Sequence, residues 1–119
     1  MYKQGSVIRA RVLDLQGRNP KVRPLVIVTP TAEIPQATHI VAVAITGEFR
    51  DPLADDEVEL PYDPGGRAGS GLRKQSVAKC GWQRRLAIKD IIERKGYLGV
   101  AKVEEILGKL ADIEARGRT

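Results

Sequence analysis

The chain has one cysteine, Cys80, and one histidine, His39. A single cysteine excludes an internal disulfide framework. One Cys and one His fall short of the four ligands that a structural zinc needs within one chain. No apolar run approaches the roughly 18 residues of a transmembrane helix. The opening MYKQGSVIRARVLDL is charged throughout and has no apolar signal-peptide stretch. Neither standard Gly-rich phosphate loop is present: GGRAGSG clusters glycines at 65–71, but no Lys-Ser/Thr follows and no helix begins there. A Ser–His–Asp triad would have to use His39, which opens the apolar stretch HIVAVAI and reads as a structural or edge residue. Lys79, Arg84 and Arg85 lie near Cys80 in sequence and favour a thiolate, yet no base accompanies them, so Cys80 reads as structural. The expectation is a soluble, cytoplasmic protein with no metal site and no cofactor.

At 119 residues the chain is expected to form one domain, residues 1–119. Leu, Ile, Val and Phe make up 32 of the 119 residues, above the roughly one-fifth level below which disorder is expected. A chain of this size buries roughly two-thirds of its unfolded surface, enough for one core. Its net charge of +5 is unevenly spread. Residues 1–45 carry six basic and two acidic residues, and residues 67–95 carry nine and two. Between them, residues 46–66 carry one basic and seven acidic, concentrated in DPLADDEVELPYD. If the basic blocks fold side by side they form a positive face suited to phosphates. The alternative is that these charges merely solvate strand faces and loops.

Ser6 to Leu13, rich in β-branched residues, predicts a strand, and Asp14 to Lys21 a polar loop broken by Gly17, Asn19 and Pro20. The continuous apolar runs Leu25–Val28 and Ile40–Ile45 predict buried strands. Thr29–Thr38 contains two prolines and predicts a loop or edge. Glu57–Leu60, Leu72–Lys79 and Arg84–Ile88 are further strand candidates. Pro61–Gly71, with four glycines and two prolines, predicts a loop free to move. The period then changes. Val100, Val103, Ile106, Leu107, Leu110 and Ile113 form one apolar stripe at helical spacing, with Gly99 before it and Gly117 after it. Gly108 inside that helix costs about 1 kcal/mol relative to Ala, which points to a close contact that tolerates nothing larger. A lone amphipathic helix must cover a sheet, so the fold class is α+β, mostly β.

Three residues stand out for chemistry. Arg23 lies between a basic loop and an apolar strand, where a guanidinium can clamp a phosphate bidentately or form a surface salt bridge. Thr46 ends the other apolar strand beside Gly47; its hydroxyl can donate to a phosphoryl oxygen or cap a turn. Trp82, the only Trp, lies in a basic stretch, where it can stack a base for roughly 1–3 kcal/mol or pack in the core.

VRPLVIV (Val22–Val28), VAVAIT (Val41–Thr46) and SGLRKQSVAKC (Ser70–Cys80) are together similar to the MazF/PemK toxins of bacterial toxin–antitoxin pairs. QGSVIRARVLDLQG (Gln4–Gly17) resembles the family's first strand and loop, and KGYLGVAKVEEILGKLADI (Lys95–Ile113) its closing strand and helix. The resemblance runs in order over nearly the whole chain. It implies a small SH3-like antiparallel barrel with a C-terminal amphipathic helix, and a homodimer whose interface groove holds single-stranded RNA such as mRNA. The implied activity is metal-independent, sequence-specific endoribonuclease cleavage using the RNA 2′-hydroxyl, leaving a cyclic phosphate and a 5′-hydroxyl. A cognate antitoxin, a segment that folds over the basic groove, would neutralise it.

Residue by residue, the family's Arg before Pro corresponds to Arg23 and its strand-end Thr to Thr46, both as catalytic groups on the phosphate. Arg18, Lys21, Arg73, Lys74, Ser76, Trp82 and Arg84 are the implied RNA-binding residues, with Ser76 positional rather than catalytic. Two positions depart from the pattern. Arg18 stands where many members carry an acidic residue, and Gly81-Trp82 where many carry Asp-Gln. Both usual general bases are thus absent, leaving Asp14 or an acidic residue of 46–66 as replacements. Two other readings follow: a nucleic-acid- or protein-binding module without catalysis, and a protein-directed toxin of the gyrase-poisoning branch of the superfamily.

Overall fold

A computed structural model describes residues 1–13 and 17–117. Six strands precede one helix: β1 (Ser6–Val12), β2 (Lys21–Ile27), β3 (His39–Thr46), β4 (Glu57–Leu60), β5 (Ser76–Ala87), β6 (Ile91–Tyr97) and α1 (Val100–Arg116). All strand pairings are antiparallel, in the order β4-β5-β3-β2-β1-β6.

Alternation along the strands divides the apolar residues between two clusters. Val7, Val26, Val43 and Ile45 join Val58, Ala78 and Cys80 beneath the helix residue Ile106. Their sequence neighbours Ile8, Leu25, Ile27 and Ala42 form a second cluster with Ile34, Ile40 and Leu86. Burial on both faces explains why β2 and β3 read as unbroken apolar runs. Helix α1 packs on β4 and β5, seating Val103, Ile106, Leu110 and Ile113 against the first cluster.

Several expectations are corrected. The sheet is not a closed barrel, because the edge strands β4 and β6 do not pair among the described residues. The 61–71 loop spans the gap instead. The Tyr97 N–H donates to the Gly69 carbonyl (2.9 Å), and Gly96 and Gly71 lie so close to the opposing backbone that a Cβ on either would collide with it. This loop is tied down rather than loose: Ser70 is buried, its Oγ donates to the Pro61 carbonyl (2.8 Å) and accepts from the Leu72 N–H (3.1 Å). The separate strands expected at 72–79 and 84–88 are one bent strand, β5, which begins only at Ser76. Strand β2 starts earlier than its apolar run, at Lys21, so Arg23 lies inside it. Strand β6 begins before the stretch legible as a closing strand. Val100 is exposed and leaves the helical stripe. A Cβ on Gly108 would meet nothing within 4 Å, so no close contact explains this glycine.

Candidate functional site

Two local irregularities open a cleft at one end of the sheet. The first is Pro24. The β2–β3 ladder ends at Leu25↔Ala44, and Pro24 has no N–H with which to add the next rung. The strands therefore part. Arg23 and Thr46 each lie two residues past the last rung, and the alternation of side chains puts them on one face. The second irregularity is the bend in β5. Pairing with β3 jumps from Val43↔Gln83 to Ala44↔Lys79, so Cys80, Gly81 and Trp82 leave that ladder as a bulge. Asp56 holds the bulge: its carbonyl accepts from the Cys80 N–H (2.8 Å) and its Oδ2 from the Gly81 N–H (3.2 Å). A Cβ at Gly81 would lie 2.7 Å from that Oδ2. The carboxylate thus occupies the space that an acidic side chain at position 81 would need.

The resulting cleft has a volume of about 730 Å³. Of the residues expected from the sequence, Arg23, Thr46, Arg73, Lys74, Ser76 and Trp82 line it. Arg84 does not line it but packs against Trp82. Arg18 and Lys21 lie outside, on the β1–β2 connection and at the first residue of β2. The sequence reading missed Arg9 of β1 and Lys95 of β6 and covered Glu48 only among the acidic residues of 46–66; all three line the cleft. The two basic residues stand in the positive blocks, but only strand register brings them here.

The Trp82 ring has the Arg23 and Arg84 guanidinium carbons each 5.3 Å from its centre, within cation–π range. Among the described residues, the buried side-chain donors lacking a partner are Arg23 Nε, Trp82 Nε1 and Arg84 Nη2. All three belong to this one stack. An unpaired buried donor costs roughly 1–3 kcal/mol, and such groups mark sites that await an acceptor. Trp82 is half-buried, so it is neither a core residue nor a freely exposed stacking platform.

The other lining groups have defined partners. Thr46 Oγ1 accepts the Glu48 N–H (3.0 Å), which leaves its own proton to donate. Ser76 is buried and its Oγ donates to the Lys74 carbonyl (2.9 Å), so it shapes the start of β5. The Lys74 side chain runs past Gly47, where a Cβ would stand 3.4 Å from Lys74 Cε. The Arg73 guanidinium lies over Gly66, which has φ +78°. Arg9 donates to Glu93 Oε1 (2.9 Å), and that hydrogen bond holds the Glu93 carboxyl below its ordinary range.

Glu48 is the only acidic residue lining the cleft among the described residues. Glu57 is committed elsewhere: it is buried, accepts the Ala54 N–H (2.8 Å) and pairs with Lys79 at 3.5 Å. Asp63 accepts the Arg67 N–H (2.9 Å). Asp14 lies outside the described residues. Cys80 is wholly buried; burial, and secondarily the charge of Asp56, push its thiol up to about 11. His39 is exposed beside Thr38 (Nδ1 to Oγ1, 3.0 Å), away from the cleft. Among the described residues no three His, Cys, Asp or Glu side chains gather as metal ligands, and no helix is long and apolar enough to cross a membrane.

Solved structures with the same fold include MazF from Deinococcus radiodurans, with a TM-score of 0.74, 19% identity and 96% of each chain covered. The MazE–MazF complex of that organism (Form-III) gives 0.73 at 18% identity, again over 96% of each chain. An endoribonuclease in complex with its cognate antitoxin, from a mycobacterial species, gives 0.69 at 20% identity, covering 94% of this chain and 93% of that one. At these identities the likeness establishes the fold. No curated protein sequence matches the chain. The family model of the PemK-like, MazF-like toxins of type II toxin–antitoxin systems, however, matches residues 3–113. Nearly the whole chain is covered, and the protein therefore belongs to the PemK-like, MazF-like toxin family.

Proposed function

We propose that the protein is a metal-independent, sequence-specific endoribonuclease that cuts single-stranded RNA in the cytoplasm, acts as a homodimer, and is neutralised by a cognate antitoxin. The observation that carries this reading is the placement of Arg23 and Thr46 together in one cleft, just past the point where Pro24 ends the β2–β3 ladder, with five basic side chains and one acidic one lining it. Arg23 and Thr46 are the phosphate-contacting groups. Cleavage through the 2′-hydroxyl places extra negative charge on the phosphoryl oxygens, and fixed donors at those oxygens stabilise the transition state. Arg23 Nε has no partner in the cleft wall, so binding an RNA phosphate satisfies it without breaking an existing hydrogen bond. Arg73, Lys74, Arg84 and Trp82 hold flanking nucleotides, with Arg18 and Lys21 as more distant basic contacts. Lys95 and Arg9 add positive charge at the same cleft.

The experiment is cleavage of a long single-stranded RNA in EDTA by the wild-type protein and by Arg23→Ala. Discrete fragments with 5′-hydroxyl ends, lost in the variant, are expected. The second reading, a binding module without catalysis, is favoured by Gly81-Trp82 standing where many relatives carry Asp-Gln. That reading predicts intact RNA, shifted by the folded protein, with affinity falling steeply as salt rises.

A further inference from the structure

We propose that Glu48 is the general base that takes the 2′-hydroxyl proton. The inference rests on the ribonuclease reading above and adds the group that the sequence leaves unassigned. Three observations meet on this residue. First, Glu48 is the only acidic residue lining the cleft among the described residues. Asp56, Glu57 and Asp63 are tied to backbone N–H groups or to Lys79 outside it.

Second, Glu48 is coupled to Thr46. Its N–H donates to Thr46 Oγ1 at 3.0 Å, so the threonine hydroxyl and the glutamate belong to one turn. A phosphate held by the Thr46 hydroxyl therefore lies within a side-chain length of the Glu48 carboxylate. Third, that carboxylate enters no ion pair among the described residues, and the residue is exposed. A proton acceptor must be unoccupied and reachable.

The charges around Glu48 come from several elements. On the cleft side they are Arg9 of β1, Arg23 of β2, Lys95 of β6, and Arg73 and Lys74 ahead of β5. On its other side a neighbouring hollow presents Arg50 of its own loop, Lys79 of β5 and Glu57 of β4. RNA phosphates drawn to the cleft-side cations bring their riboses alongside the carboxylate.

The step balances with the groups present. A Glu48 carboxylate oxygen takes the proton of the 2′-hydroxyl. The freed oxygen bonds to phosphorus, the bond from phosphorus to O5′ breaks, and O5′ takes up a proton from solvent. The products are a 2′,3′-cyclic phosphate and a 5′-hydroxyl, with no change of oxidation state.

The test is RNA cleavage by full-length wild type, Glu48→Gln and Glu48→Asp, with kcat and KM measured from about pH 5 to 9. Glu48→Gln is expected to lower kcat by roughly 10²–10⁴-fold, the worth of a general base, while KM stays level or falls because a negative charge has left the cleft. Its remaining rate should rise steadily with pH, as hydroxide replaces the missing base, where the wild type levels off. Glu48→Asp should recover part of kcat. Melting curves matching the wild type are expected, since the side chain is exposed. Cleavage by Glu48→Gln within about threefold of wild type, or a loss confined to KM, overturns Glu48 as base while leaving the ribonuclease reading intact. Wild-type protein that binds RNA and never cuts it overturns both.

Discussion

At the residue scale, the site departs from saturated bonding. Arg23, Trp82 and Arg84 keep buried N–H donors unpaired within one stack, whereas Ser76 and Ser70 are fully engaged in holding backbone. The two serines that position backbone have partners, and the three donors of the stack do not. Cys80 shows the opposite logic. Basic neighbours in sequence favour a thiolate, but the chain folds it into the core with no exposure and its thiol rises from 9.0 to about 11. Native protein should therefore resist alkylating reagents at pH 8, and unfolded protein should react promptly; mass spectrometry of both states checks this. The linkage has a definite sign. Between 9.0 and about 11 the unfolded thiol ionises while the folded one stays protonated, so stability should fall as pH rises through that window. Rapid labelling of native protein would show Cys80 to be accessible after all.

At the element scale, helix α1 is held by packing more than by its own sequence. Ile106 is its one fully buried residue, flanked by Val103, Leu110 and Ile113. Gly108 lies on its open side, so its cost to the helix is not repaid by a contact within the chain. Gly108→Ala should raise stability by about 1 kcal/mol, measured as a higher denaturant midpoint at unchanged slope. A drop in stability would reveal a close neighbour at that position, such as a second copy of the chain. The bulge in β5 is a different kind of element. It bends the longest strand and carries Trp82 to the cleft edge, and Asp56 secures it through two backbone N–H groups.

At the scale of the whole molecule, cation placement decides what the surface attracts. Five basic side chains converge on one cleft from β1, β2, β6 and the segment before β5. None of the acidic residues of 51–63 lines this cleft, and Asp56, Glu57 and Asp63 are bonded elsewhere. Such a cleft suits an anionic chain, and an acidic antitoxin segment folding over it would compete with RNA for the same donors. The purified toxin–antitoxin complex should therefore show no ribonuclease activity, and activity should return when the antitoxin is removed by proteolysis or denaturation and the toxin is refolded. A complex that cuts RNA at the full rate would separate the antitoxin's binding surface from this cleft.

The apolar runs 25–28 and 40–45, the change to helical period after Gly99 and the two positive blocks were all readable from one chain, because each is a local pattern whose physical meaning needs no partner. Arg23 and Thr46 stood out for the same reason: each lies beside an apolar run in the sequence. Other features required the fold. That Pro24 ends a ladder, that 76–87 is one bent strand, and that the 61–71 loop bridges two sheet edges all depend on register. So does the meeting of Arg9 and Lys95, 86 positions apart in the sequence, in one cleft. The role of Glu48 was hidden most completely. Among seven acidic residues in 46–66, nothing local separates it from the rest; only tertiary structure ties Asp56, Glu57 and Asp63 to other partners and sets Glu48 in the lining of the cleft.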